Sequence, residues 1–177
     1  VALDFYPPEE TLVVHRLAPI KDESEMGLSV GDKISVKNLL YGLLVPSGND
    51  AAYTLADNYP GGIENFIYSM NQKAKALNMK DTRFQNPSGL DSPNHYSSAK
   101  DLSLLARASL DQPIIARIVA TSGVNLGNAD GSKRYEIKNV NQLLSLLPGT
   151  DGVKTGYTDL AGQCLIASVS RSGHRLL

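Results

Sequence analysis

The chain has 177 residues, 42% of them hydrophobic and 20% charged, an ordinary globular balance that sets aside disorder and fibrous repeats. Lys+Arg 17 against Asp+Glu 18 leaves a net charge of -1, so a surface built to neutralise phosphates is not expected and no nucleic-acid partner is inferred. A single cysteine excludes a disulfide framework and a multi-cysteine zinc site.

Val1 to Phe5 reads as the tail of an apolar helix already under way, and Arg175 to Leu177 as the opening of a strand. Both ends read as cut, so the expectation is an excised piece of a longer protein that has lost its targeting and anchoring segments. No basic stretch leads into an apolar run, and the cluster Leu39 to Val45 is too short to span a bilayer.

Thr11 to His15 is a β-branched run suited to a strand, and Lys21 to Asp32, polar with two glycines, reads as loop. Ser35 offers an N-cap to a helix carrying Leu39, Leu40, Leu43 and Leu44, which Pro46 limits because proline has no N–H to donate. Ser47-Gly48-Asn49 forms a break. Asp50 opens a second helical pattern through Ala51, Ala52, Leu55 and Ala56. After Gly61-Gly62, a third helix places Ile63, Phe66, Ile67, Met70, Ala74 and Leu77 on one face, more simply core than a ligand pocket.

Asn86 to Asn94 holds two prolines and a glycine and reads as loop. Ser98 followed by Asp101 has the form of a capping box, and a short helix follows Pro113. Gly127 to Gly131 reads as a turn, and Tyr135 to Val140, Asp151 to Tyr157 and Cys164 to Ser170 as strands. Strands at both ends with helices between them predict an α+β domain. It covers 1–177, with a helical lobe at about 36–120 and strands from 1–35 and 121–177.

Ser-x-Asn occurs three times, at Ser47, Ser69 and Ser92, and alone means little. The Ser69 copy lies inside the third helix and the Ser92 copy in the Pro-rich loop. Ser47 differs, because a break between two helices can project short polar side chains into a cleft. Lys154-Thr155-Gly156 sits in a strand candidate although lysine and glycine are poor strand residues. Gly156 weakens the strand unless something approaches its backbone closely. A lysine beside a hydroxyl and a bare backbone edge is a plausible grip for a carboxylate.

Leu39 to Ala52, with Ser47-Gly48-Asn49 at its centre, resembles the second active-site block of the D-alanyl-D-alanine carboxypeptidases, the low-molecular-mass penicillin-binding proteins. Asn86 to Asp91, His95 to Asp101 and Asp151 to Thr158 are similar to further blocks of that family in the same order. The resemblance implies a β-lactamase/transpeptidase-like fold, with an antiparallel sheet flanked by helices plus a helical lobe, truncated at both ends. A truncated domain would expose sheet edges and apolar surface, with marginal stability or self-association to be expected.

The family's chemistry combines Ser-x-x-Lys, Ser-x-Asn and Lys-Thr-Gly, the first serine attacking a peptide carbonyl to form an acyl-enzyme that water hydrolyses. The one Ser-x-x-Lys here, Ser97 to Lys100, lies 50 residues downstream of Ser47, whereas the family places its nucleophile upstream. Ser97 therefore reads as structural, and the nucleophile is expected before Val1, leaving this piece inactive by itself.

By resemblance, Ser47 relays a proton to the leaving amine, Asn49 fixes the catalytic lysine and the substrate amide, and Lys154 faces the substrate's terminal carboxylate. Thr155 donates to that carboxylate, Gly156 leaves room for substrate, and the Tyr157 N–H is half of an oxyanion hole. The plainer readings are a turn serine, a helix N-cap and a solvated strand-edge lysine.

The implied activity removes the terminal D-alanine from peptidoglycan stem peptides, with β-lactams as inhibitors, no cofactor and an extracytoplasmic location. Membrane association would come only through segments beyond these residues. A β-lactamase of the same fold or a non-catalytic peptidoglycan-binding homologue are the alternatives. His15, His95 and His174 are too scattered for a metal site, and Cys164, in an apolar strand, is expected to be a buried inert thiol.

Overall fold

The structure is a computed structural model describing residues 1–16 and 24–177, so residues 21–23 of the expected loop lie outside the described residues. Helix α1 (Ala2–Phe5) leads into Tyr6, which is buried and stacks edge-on with Phe5 and Tyr59. Strand β1 (Thr11–Val13) pairs antiparallel with β2 (Lys33–Ser35), placing Leu12 opposite Ile34. β2 was not legible as a strand, because its three residues carry a single buried side chain, Ile34.

Ser35 caps α2 (Val36–Leu44), its Oγ accepting the Asn38 N–H at 3.3 Å. After Pro46 comes α3 (Asn49–Asp57), then α4 (Gly62–Ala76), whose Phe66 and Ala74 are buried while Ile63 and Met70 pack against the core. Ser98 caps α5 (Ala99–Leu110), accepting the Asp101 N–H. The expected capping box closes in one direction. The Asp101 carboxylate, 2% exposed, instead accepts the Asp81 N–H and the Thr82 hydroxyl, both at 2.7 Å.

Helix α6 (Pro113–Val119) is followed by the hairpin β3 (Gly123–Gly127) and β4 (Arg134–Lys138). β3 escaped the sequence reading because it carries glycine at both ends, and Gly127, expected in a turn, is its last residue. A short helix α7 (Leu143–Leu146) precedes β5 (Thr150–Thr158), β6 (Gly162–Arg171) and β7 (His174–Leu176), one sheet in that order. The strands thus form three separate antiparallel sheets among the described residues, and not one.

The main core joins Leu12, Ile34, Leu39, Leu55, Ile118 and Tyr135, tying α2 and α3 to the first two sheets. Each fully buried aliphatic side chain contributes roughly 1.5–3 kcal/mol. A second cluster, Ala106, Leu110, Val119 and Val153, fastens α5 and α6 to β5. That second cluster holds β5 beside the turn between α2 and α3.

Candidate active site

Pro46 stops α2, and Ser47 then adopts φ 67, the left-handed region that non-glycine residues avoid. Holding one serine there costs on the order of 1 kcal/mol, so the surroundings must impose it. They do so through Gly48, whose N–H donates to the Gly42 carbonyl at 2.8 Å. A Cβ on Gly48 would lie 2.7 Å from that carbonyl and 2.8 Å from Asp50 Oδ1, so no side chain fits. Asn49 begins α3, is 7% exposed, and donates its backbone N–H to the Ser24 carbonyl at 2.8 Å.

Asp50 is the site residue that motif reading passes over. Its carboxylate is 2% exposed and accepts the N–H groups of Met26, Gly27 and Leu28, each at 2.9 Å, and that of Ala51 at 2.8 Å. A buried charge is tolerable only when fully hydrogen-bonded, and here four backbone donors do that work. The loop before β2 is thereby bound to the turn that carries Ser47. An acid at the first turn of a helix was the available signal, but three of its four partners lie over 20 residues away.

Lys154 projects from β5 and donates from Nζ to Ser47 Oγ and to the Thr155 carbonyl, both at 2.7 Å. No carboxylate pairs with it among the described residues. Burial without a counter-charge disfavours the ammonium and pushes its pKa from the ordinary 10.5 down to about 8. A desolvated cation held by two neutral oxygens is a site that an anion would complete.

β5 pairs with β6 along one side only, and its other edge is unpaired among the described residues. In an antiparallel pair successive residues direct their N–H groups alternately toward and away from the partner, so half of those of β5 face the open edge. Thr155 is half-buried there and Gly156 is exposed. A Cβ on Gly156 would meet only the Cys164 Cβ, at 3.9 Å, so nothing within the chain demands a glycine. The Tyr157 side chain is 68% exposed, and its hydroxyl approaches Asp159 Oδ1 at 3.4 Å.

Ser47 and Lys154 therefore meet at one place, with Asn49 two residues on at the start of α3 and Thr155, Gly156 and Tyr157 following Lys154 along β5. The other Ser-x-Asn copies lie elsewhere, the Ser69 hydroxyl donating to Tyr59 Oη at 3.2 Å. Ser97 is exposed and shares a hydrogen bond with the Thr82 hydroxyl at 2.8 Å. Cys164 is exposed together with its neighbours Gln163 and Leu165, so neither face of β6 is covered at that end, and the expectation of a buried thiol is corrected. His15 and His174 are exposed, and the His95 Nδ1 accepts the Gln85 N–H at 3.1 Å. Among the described residues no His, Cys, Asp and Glu cluster could hold a metal. A cavity of about 420 Å³ opens at the C-terminal end of α4, beside Asn78, Lys80 and Thr82, and contains none of the site residues.

Residues 12–177 match the family described as D-alanyl-D-alanine carboxypeptidase. The chain belongs to that family. Among curated relatives of this carboxypeptidase family, D-alanyl-D-alanine carboxypeptidase DacF of Bacillus subtilis is 39% identical over 154 residues, covering 87% of this chain and 39% of the relative. DacD of Escherichia coli is 37% identical over 182 residues, covering 96% of this chain and 44% of its own length. The chain spans about two-fifths of these relatives. The crystal structure of the Streptomyces K15 DD-transpeptidase superposes with a TM-score of 0.87 at 31% identity, over 97% of this chain and 71% of that one. The carboxypeptidase family member thus has the penicillin-binding, transpeptidase-type α+β fold that its motifs imply.

Proposed function

We propose that the whole protein is a serine D-Ala-D-Ala carboxypeptidase acting on peptidoglycan stem peptides outside the cytoplasmic membrane. The observation that carries this reading is the Lys154–Ser47 contact at 2.7 Å, lying beside the unpaired edge of β5. It joins a proton-carrying hydroxyl to an unneutralised ammonium at a strand edge able to receive an extended peptide.

In this reading the terminal carboxylate of the peptide sits against the Lys154 ammonium and the Thr155 hydroxyl, and its backbone runs along Gly156. The attacking serine comes from a Ser-x-x-Lys element outside residues 1–177, because the copy at Ser97 is engaged with Thr82. Its Oγ bonds to the carbonyl carbon of the penultimate D-alanine, and the Tyr157 N–H receives the oxyanion. Such a donor contributes roughly 3–4 kcal/mol to barrier lowering. As the C–N bond breaks, the proton released by the attacking serine reaches the leaving amine through the Ser47 hydroxyl, which both donates and accepts. Asn49 holds the amide and the upstream lysine in register. Water then adds to the acyl carbon, the ester bond breaks, and its proton returns to the serine.

Labelling with a fluorescent penicillin tests this. The complete protein should form a stoichiometric adduct on a serine outside residues 1–177 and release D-alanine from a D-Ala-D-Ala peptide. Residues 1–177 alone should form none. An adduct on Ser97, or none in the complete protein, defeats the reading. Family membership and the names of the relatives support a carboxypeptidase over the β-lactamase alternative. No helix among the described residues is long and apolar enough to cross a membrane.

A further inference from the structure

The two sequence blocks between Asn86 and Asp101 have no part in the chemistry above, yet they build a loop that reaches the β5–β6 hairpin. Asn86 winds that loop: its Oδ1 accepts the Gly89 N–H at 2.7 Å and the Ser88 N–H at 3.2 Å, while its Nδ2 donates to the Leu90 carbonyl at 2.7 Å. The base of the loop is clamped by reciprocal backbone bonds between Arg83 and Tyr96, at 2.9 and 3.0 Å. Asp101 then fixes Asp81 and Thr82 just outside that clamp. Asp91 is delivered near the tip, and its Oδ2 accepts the Leu160 N–H at 3.1 Å, 69 residues away.

The turn it reaches has little else to hold it. Leu160 is 85% exposed, and the local bond across the turn runs from the Ala161 N–H to Thr158 Oγ1 at 3.1 Å. Polar bonds thus reach the hairpin from the α2–α3 turn, Ser47 on Lys154, and from the loop 86–94, Asp91 on Leu160. Thr155 to Thr158 lie between them, a span of about 13 Å at the rise of an extended strand.

The geometry points to Asp91 as a positioning residue that holds the β5–β6 turn against the loop 86–94 and so fixes the free edge of β5 relative to Ser47. The carboxylate touches no reacting atom. A charge-assisted bond to a backbone N–H restrains the far end of β5, beyond the part that Val153 and Lys154 fasten to the helices. Releasing it lets Gly156 and Tyr157 move with the turn, which weakens capture of a peptide lying along them. This role rests on the proposed carboxypeptidase function.

The test uses the complete protein and its Asp91→Ala and Asp91→Asn variants. Asparagine keeps an acceptor at the same place, so it should restore what alanine loses. Asp91→Ala is expected to speed amide exchange at Leu160 and raise KM for a D-Ala-D-Ala peptide, each about fivefold, as loss of one such bond allows, with kcat within about twofold. Asp91→Asn should stay within about twofold of wild type on each measure. Unchanged exchange in Asp91→Ala, faster exchange with unchanged KM, or an asparagine variant as impaired as alanine overturns the proposal. If wild type neither takes up a penicillin nor cleaves the peptide, the functional reading has failed, and the exchange comparison still decides whether Asp91 holds the turn.

Discussion

The Lys154 ammonium lies 2.7 Å from the Ser47 hydroxyl, joining residues 107 positions apart, one in the turn between α2 and α3 and the other on β5. Neither residue alone distinguishes a catalytic site from a turn serine and an edge lysine. Their contact is what the proposed site rests on, because burying a lysine without a carboxylate is unfavourable unless a ligand completes the site.

The first prediction concerns that lysine. Its ammonium should titrate near 8, where a solvated lysine would titrate near 10.5, with burial as the cause. Between those two values the unfolded chain binds more protons than the folded one, so this group makes stability rise with pH across the window. Below about 8 both states are protonated and the folded state carries the full desolvation penalty; above 10.5 neither is charged. Nζ-detected NMR titration, with chemical denaturation at pH 7.5 and 9.5, checks both parts. A carboxylate ligand should raise the Lys154 value, and Lys154→Met should flatten the pH dependence of stability.

Asp50 supports the turn from below, and its removal should be among the costliest single changes in the site. Asp50→Ala would strip partners from the backbone N–H groups of Met26, Gly27, Leu28 and Ala51 at once. With about 1–3 kcal/mol for each buried donor left unsatisfied, and water entering to relieve some of them, a loss of about 3 kcal/mol or more is expected. Urea unfolding measures the loss, and amide exchange at residues 26–28 locates it. Asp50→Asn should recover part of the stability, because its single carbonyl oxygen replaces one of two acceptors.

Much of this was legible in the sequence because it rests on local rules. Ser35 and Ser98 cap where a serine precedes an apolar helical period, and Pro46 ends α2 because it has no N–H to give. What escaped depends on contacts between distant segments. β2 and β3 exist because a partner strand pairs with them, while their own residues, two of them glycines in β3, have weak strand preference. Asp50 reads locally as an acid at a helix start, and only the fold brings residues 26–28 onto its carboxylate. Cys164 was misjudged because an apolar strand does not say how far along its length the core reaches: Gln163, Cys164 and Leu165 all lie exposed at the hairpin end of β6.

Ser97 offers a negative control. Its hydroxyl is exposed and bonded to the Thr82 hydroxyl, so Ser97→Ala should cost under about 1 kcal/mol and leave penicillin labelling of the complete protein unchanged. Ser98→Ala removes the cap of α5 and should cost about 1 kcal/mol in thermal or urea unfolding. A labelling defect in Ser97→Ala, with stability intact, would return that serine to the chemistry.

Gly156 separates folding from ligand capture more cleanly than any other position. Space beside it is open, with only the Cys164 Cβ at 3.9 Å from where its own Cβ would stand, so the folded chain tolerates a side chain there. Valine suits an extended strand better than glycine does, so Gly156→Val should leave stability unchanged or raise it by up to about 1 kcal/mol. A peptide or penicillin laid along the edge between Thr155 and Tyr157 would meet the new methyl groups. In the complete protein, penicillin acylation should therefore fall at least tenfold, about 1.4 kcal/mol or more of lost transition-state stabilisation, while unfolding is unaffected. Equal acylation rates in wild type and Gly156→Val would mean that substrate does not run along this strand edge.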